Sequence, residues 1–112
     1  MTSVSIRGSV AQSGVRQPQR ERLRARTFLR RAPSVTARWE GTEEVLLFDF
    51  ASGRALVTNE AGLIAFWLCD GKRCAKDVME ELRACYYLGP VVERGIRDFI
   101  CQLLAWGMVD YV

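Results

Sequence analysis

The chain contains no histidine, and its four cysteines, at 69, 74, 85 and 101, include no pair at CxxC spacing. Without histidine, nucleophile–base pairs of the Ser/His or Cys/His type cannot form within the chain. Without close ligand pairs a zinc site has little to build on. Disulfides are not expected in a reducing compartment, so most of the cysteines read as small buried hydrophobes on helices. A run of about 18 apolar residues, the length a membrane helix needs, is also missing. The opening stretch MTSVSIRGSVAQSG has none of the apolar core of a secretory signal, and a cytoplasmic protein is expected. Gly71-Lys72 lacks the preceding glycine and the following Ser or Thr of a phosphate-binding loop. Glu43-Glu44 and Glu80-Glu81 are adjacent pairs, which do not face one another on a helix and read as solvated surface charge. Neither catalytic residues nor a metal or cofactor are expected.

What is present suits one small domain: 112 residues, 49% of them hydrophobic and 26% charged, enough for a single modest core. The formal charge of +3 conceals an asymmetry. Residues 1–31 hold eight arginines and one acid, Glu21, whereas the remainder holds eight basic and twelve acidic side chains. The basic charge therefore sits on an N-terminal segment and the body is mildly acidic. Residues 1–32, rich in Ser, Gly, Gln and Arg, are expected to be a disordered tail. A basic helix over 19–31 on binding, contacting through Leu23, Phe28 and Leu29, and an organelle-targeting segment are the alternatives. Pro33 marks the junction to a folded domain over 33–112.

Within that domain 35–39 reads as a strand, Val45-Leu46-Leu47-Phe48 as a second, and 54–58 as a third. The short Gly-containing loops between them are those of antiparallel hairpins. Asn59 is a good N-cap with Glu60 in the first turn, and Leu63, Ile64, Trp67 and Leu68 recur at helical spacing, giving a helix over 60–69. Trp67, Leu63 and Leu103 are assigned to the core. A second helix over 75–86 follows Cys74 at the N-cap position, with Asp77 three residues on. Gly89-Pro90 breaks the chain, and a third helix over 91–106 carries Val92, Ile96, Phe99, Ile100, Leu103 and Leu104 as a broad apolar stripe closed by Gly107. The tail 108–112 can return as a short extended segment. The expected fold is α+β and winged helix-turn-helix-like: a three-stranded antiparallel sheet, then three helices, behind a disordered basic tail. Read as a DNA binder, the last helix offers Arg94, Arg97 and Gln102 offset by Glu93 and Asp98, a neutral balance that argues against phosphate neutralisation.

Taken in order, Glu44-Val45-Leu46-Leu47-Phe48-Asp49, Ser52 through Gly62, Ile64 through Gly71 and Gly107-Met108-Val109 resemble the PqqD-like family over roughly residues 33–110. The likeness lies in a hairpin, an Asn-Glu helix start, a helix closing on Trp67-Leu68-Cys69-Asp70-Gly71 where the family closes on Trp-x-Leu-x-Asp-Gly, and a last helix closing on a Gly-hydrophobic pair. Thr58, where the family carries an apolar residue, and Cys74, where it carries Thr or Ser, depart from the pattern, as does the arginine-rich extension. The resemblance implies a RiPP recognition element. In that family the leader of a ribosomally made precursor peptide adds as a strand to the sheet's edge, beside the last helix. Carried onto this chain, the peptide-binding residues are Arg54, Ala55, Leu56, Val57 and Thr58 at an open edge, with Val92, Ile96, Arg97 and Ile100 as the wall. Arg94 and Arg97 are placed to attract leader acids. The implied partners are a precursor leader and a modifying enzyme (a radical enzyme, a cyclodehydratase or a leader peptidase), with no membrane and no nucleic acid. A winged-helix DNA-binding regulator and a protein adaptor without a leader peptide are the rival expectations, and residues 33–112 are expected to bind without residues 1–31.

Overall fold

The computed structural model describes residues 7–8 and 23–112. The hairpin at its centre joins β3 (Val35–Glu40) to β4 (Glu44–Asp49), and β4 pairs in turn with β5 (Ala55–Thr58), all antiparallel. On β4, Val45, Leu47 and Asp49 are buried while Leu46 and Phe48 are half-buried, the alternation of a sheet with one face on a core. Across the β4–β5 pair, Leu47 lies opposite Leu56 and Val45 opposite Thr58, so Leu56 and Thr58 face inward with them.

Three helices complete the core: α1 (Glu60–Leu68) packs against β4 and β5, and α2 (Ala75–Cys85) and α3 (Pro90–Ala105) pack against α1 and each other. Asn59 caps α1 as expected, its side-chain oxygen accepting from Gly62 N–H at 3.1 Å. The α2 start also follows expectation: Cys74 N–H donates to the Asp77 carboxylate at 3.1 Å and its thiol to the same oxygen at 3.2 Å. Helix α3 closes with Gly107 at φ +70°, Gly107 N–H bonded to Leu104 O and Met108 N–H to Leu103 O. That paired closure needs a left-handed residue, which glycine adopts without a Cβ clash.

The fold is α+β with two small antiparallel sheets, and the second sheet is where expectation and structure part. It is built from β2 (Phe28–Arg31), β6 (Asp70–Cys74) and β7 (Val109–Tyr111), in the spatial order β6–β2–β7. Three strands followed by three helices is thus not the observed order, since β2 precedes them, β6 separates α1 from α2, and β7 closes the chain. The return of the tail as an extended segment is observed. Nor does the domain begin at residue 33. Of the tail expected to be disordered, residues 1–6 and 9–22 lie outside the described residues, as do 19–22 of the basic helix considered for 19–31. Residues 23–31 are not helical.

The reason is that Leu29 is fully buried in the common core with Val109, Met108 and Cys69. A central strand between two others has both rows of backbone groups satisfied. Arg31 adds a clasp: its guanidinium donates to Trp67 O and stands 4.7 Å from the Trp67 ring centroid. Trp67 is consequently not a core residue; it is 52% exposed, and α1 buries Ala61, Gly62, Ala65 and Phe66 instead. In a helix as apolar as this one, spacing alone does not select the inner face. Leu103 is core and Leu63 packs half-buried at its margin. Among the cysteines, 69 and 74 are buried, but 85 is exposed and 101 half-buried. Burial pushes the Cys69 thiol up to about 12, with nearby Arg31 opposing, so it stays protonated. Among the described residues no helix is long and apolar enough to cross a membrane.

Leu29→Ala removes a core side chain from the centre of the second sheet and is expected to cost about 2–5 kcal/mol. Urea denaturation of the variant measures it; a loss below about 1 kcal/mol, the scale of a surface change, would mean that β2 is dispensable. Truncation through residue 31 removes the same strand.

Candidate functional site

The outer edge of β5 is built by the turn that precedes it. Asp49, buried at the end of β4, accepts from Ser34 Oγ at 2.6 Å, Ser52 Oγ at 2.9 Å and Ala51 N–H at 3.0 Å. Burial by itself would raise the Asp49 pKa, but the Ser34 and Ser52 hydroxyls and the backbone N–H groups outweigh it and hold the carboxyl below its ordinary value. Gly53 N–H donates to Asp49 O and Asp49 N–H to Arg54 O, both within 2.9 Å. The Asp49–Arg54 bond sets the parity of the strand. Arg54, Leu56 and Thr58 direct their backbone groups toward β4, and Ala55 and Val57 direct theirs outward.

Side chains follow the opposite alternation. Leu56 and Thr58 are buried toward the helices; Ala55 and Val57 lie half-buried on the far face, opposite Phe48 and Leu46. The Phe48 ring on β4 and the Phe50 ring just beyond its end meet edge to face at 4.8 Å. At the start of β5 the Arg54 guanidinium stands 5.3 Å from the Trp106 ring centroid, tying the edge strand to the end of α3. One turn back on α3, Gln102 shares a face with Trp106, and its buried amide nitrogen has no hydrogen-bond partner. Such a donor is costly unless something accepts from it.

The edge is not open as expected. β1 (Arg7–Gly8) pairs antiparallel with β5, Arg7 opposite Val57 and Gly8 opposite Leu56. The opposite margin of the sheet, β3, carries Arg38 and Glu40, which form an ion pair at 2.6 Å; charge of this kind discourages strand addition.

Of the expected wall on α3, Val92, Ile96 and Ile100 are buried in the core together with Leu56. They fill the core rather than line a furrow, because most of the apolar stripe of α3 is used in packing. Arg97, like Arg94, is exposed. Trp106, Gln102 and the Arg7–Gly8 segment are not among the expected peptide-binding residues. The sequence pattern places Trp106 only at the helix end, and nothing in a two-residue Arg-Gly stretch signals a strand. A separate shallow hollow of about 440 Å³ at the end of α2 is lined by Arg83, Cys85, Tyr86, Tyr87 and Leu88, none of which belongs to the expected site. Among the described residues no group of three or more Cys, Asp or Glu side chains is placed to hold a metal ion. No family model, curated protein or solved structure matches the chain.

Two substitutions test how the edge is held. Asp49→Asn should cost about 1–3 kcal/mol at pH 7, since bonds to a charged acceptor are replaced by bonds to a neutral one. Because the folded carboxyl titrates below the unfolded value of about 3.9, its contribution is present above that pH and fades as pH falls through the folded pKa. Urea melts at pH 7 and pH 2.5 should therefore show wild type and variant converging in acid. An undiminished gap at pH 2.5 would rule out the carboxylate as the cause. At Gly62, a Cβ would overlap the Thr58 hydroxyl, which is buried without a partner. Gly62→Ala is expected to destabilise by about 1–3 kcal/mol, and adding Thr58→Ala should recover much of that loss in the same assay. Additive losses would show that the two positions do not touch.

Proposed function

We propose that this chain is a non-catalytic peptide carrier, which takes up an extended segment from the leader of a ribosomally made precursor peptide at the outer edge of β5 and presents the rest to a modifying enzyme. A radical enzyme, a cyclodehydratase or a leader peptidase would each fit. One observation carries the reading: the β5 edge accepts an extended segment, Arg7–Gly8, in antiparallel register at Leu56 and Val57. An edge strand with outward N–H and C=O groups binds any extended backbone, and pockets for alternate side chains supply selectivity. The apolar far face at Leu46, Phe48 and Val57, and the Arg54–Trp106 contact at the start of the strand, are the side-chain surfaces available for that purpose. The resemblance to the PqqD-like family supports the same role, with the first sheet as the wing of a winged-helix arrangement and β5 as the receiving strand. A cytoplasmic location accords with a carrier that meets newly made peptides.

No specific observation favours a DNA-binding reading. On α3, Glu93 pairs with Arg83, and the exposed Arg94 and Arg97 neighbour the exposed Asp98, a balance too even to neutralise several phosphates. An adaptor without a leader peptide would use the same edge and differs only in the source of the strand.

The test is titration of a labelled candidate leader peptide into the full chain with amide-shift mapping. Shifts are expected at Ala55 and Val57 and at Gln102 and Trp106. Val57→Pro removes an outward donor while leaving the β4 ladder intact, so affinity should fall about tenfold or more, the equivalent of about 1.4 kcal/mol. Unchanged affinity with the fold retained would place the peptide elsewhere.

A further inference from the structure

The β5 edge is held by a segment of the chain itself. From this we infer that Arg7–Gly8 is a self-masking strand, occupying the position of an incoming peptide and leaving before that peptide can pair. The competition with a leader rests on the function proposed above; the masking itself does not.

The geometry argues for a placeholder rather than a permanent strand. Among the described residues β1 meets β5 through Arg7 and Gly8, against Val57 and Leu56, and the β3–β4 ladder runs through six residue pairs. By the parity of β5, Arg7 and Val57 form the pair that exchanges both backbone bonds, and Gly8 with Leu56 the pair that exchanges none. Side chains directly opposite one another share a face. Leu56 faces the core side, and opposite it the arm supplies glycine, which has no side chain. The arm thus meets the demand of the edge at the Val57 peptide group and brings no side chain of its own to the core-side position opposite Leu56. A foreign peptide with a side chain at that position can repeat the Arg7 pairing with Val57 and add a contact that Gly8 cannot make. Because the arm is tethered, it competes at an effective concentration that does not depend on protein concentration. Occupancy of two-thirds to nine-tenths weakens an incoming peptide's apparent affinity about three- to tenfold.

The test uses the full chain and a probe from the chain's own sequence, a fluorescein-labelled synthetic peptide of residues 4–12. Arg7→Pro removes the arm's donor to Val57 without altering residues 23–112. Relative to wild type, the Val57 amide of R7P should exchange several-fold faster in the absence of peptide, and the probe should bind R7P about three- to tenfold more tightly. A chain lacking residues 1–8 should repeat both results, and Val57→Pro should abolish probe binding. Equal Val57 exchange in wild type and R7P, or equal probe affinity, would overturn the inference. If the probe distinguishes R7P from wild type while candidate leaders bind neither, the mask stands and the leader assignment falls.

Discussion

Each peptide group in a strand carries a donor and an acceptor that must be met by another backbone or by water, and in a domain with two small sheets this demand governs the whole arrangement. The residues before Pro33 answer it twice. β2 enters the middle of the second sheet, giving β6 and β7 a common neighbour they do not have in one another, and β1 lies on the outer edge of the first. Remove β2 and two strands lose their ladders while Leu29 leaves a void in the core. Remove β1 and the loss is confined to one exposed edge. The two contacts therefore differ in kind: one is structural, the other exchangeable.

The same distinction explains the charge asymmetry. Arg31 is folded into the structure, bonded to the last carbonyls of α1 and stacked on Trp67. Arg24 reaches Tyr111, with its N–H on the phenol oxygen at 2.8 Å and its guanidinium 4.8 Å from the ring. Part of what reads as a basic tail is thus cation placed against aromatic faces and a helix C-terminus, where positive charge is favoured. Basic charge used in this way says little about nucleic acid.

The first sheet and the three helices were legible because each carries its own local signal. Alternation runs along Val45 to Asp49, Ser52-Gly53 marks the turn, Asn59 caps α1, and Val92, Ile96, Phe99 and Leu103 recur at helical spacing. Trp67 shows where such signals stop, since a nine-residue helix apolar on most sides offers no periodic clue to its inner face. The site was legible only in part. Residues 54–58 were placed on an edge strand, but the parity that turns Val57 outward depends on the Asp49–Arg54 bond. The α3 wall went wrong because Val92, Ile96 and Ile100 have the same hydrophobic character whether they line a groove or fill a core.

From the residues alone came the class of fold, the β3–β4–β5 meander, the caps and ends of the helices, and the absence of histidine that removes the commonest catalytic pairs. Those depend on neighbours within a few positions of one another. The second sheet, the true start of the domain, the linkage of Arg54 to Trp106 and the covering of β5 by Arg7–Gly8 were decided by tertiary structure. Phe28–Arg31 and Asp70–Cys74 have no strand pattern strong enough to stand alone, and each becomes a strand only when a partner about forty residues distant supplies the other half of its hydrogen bonds.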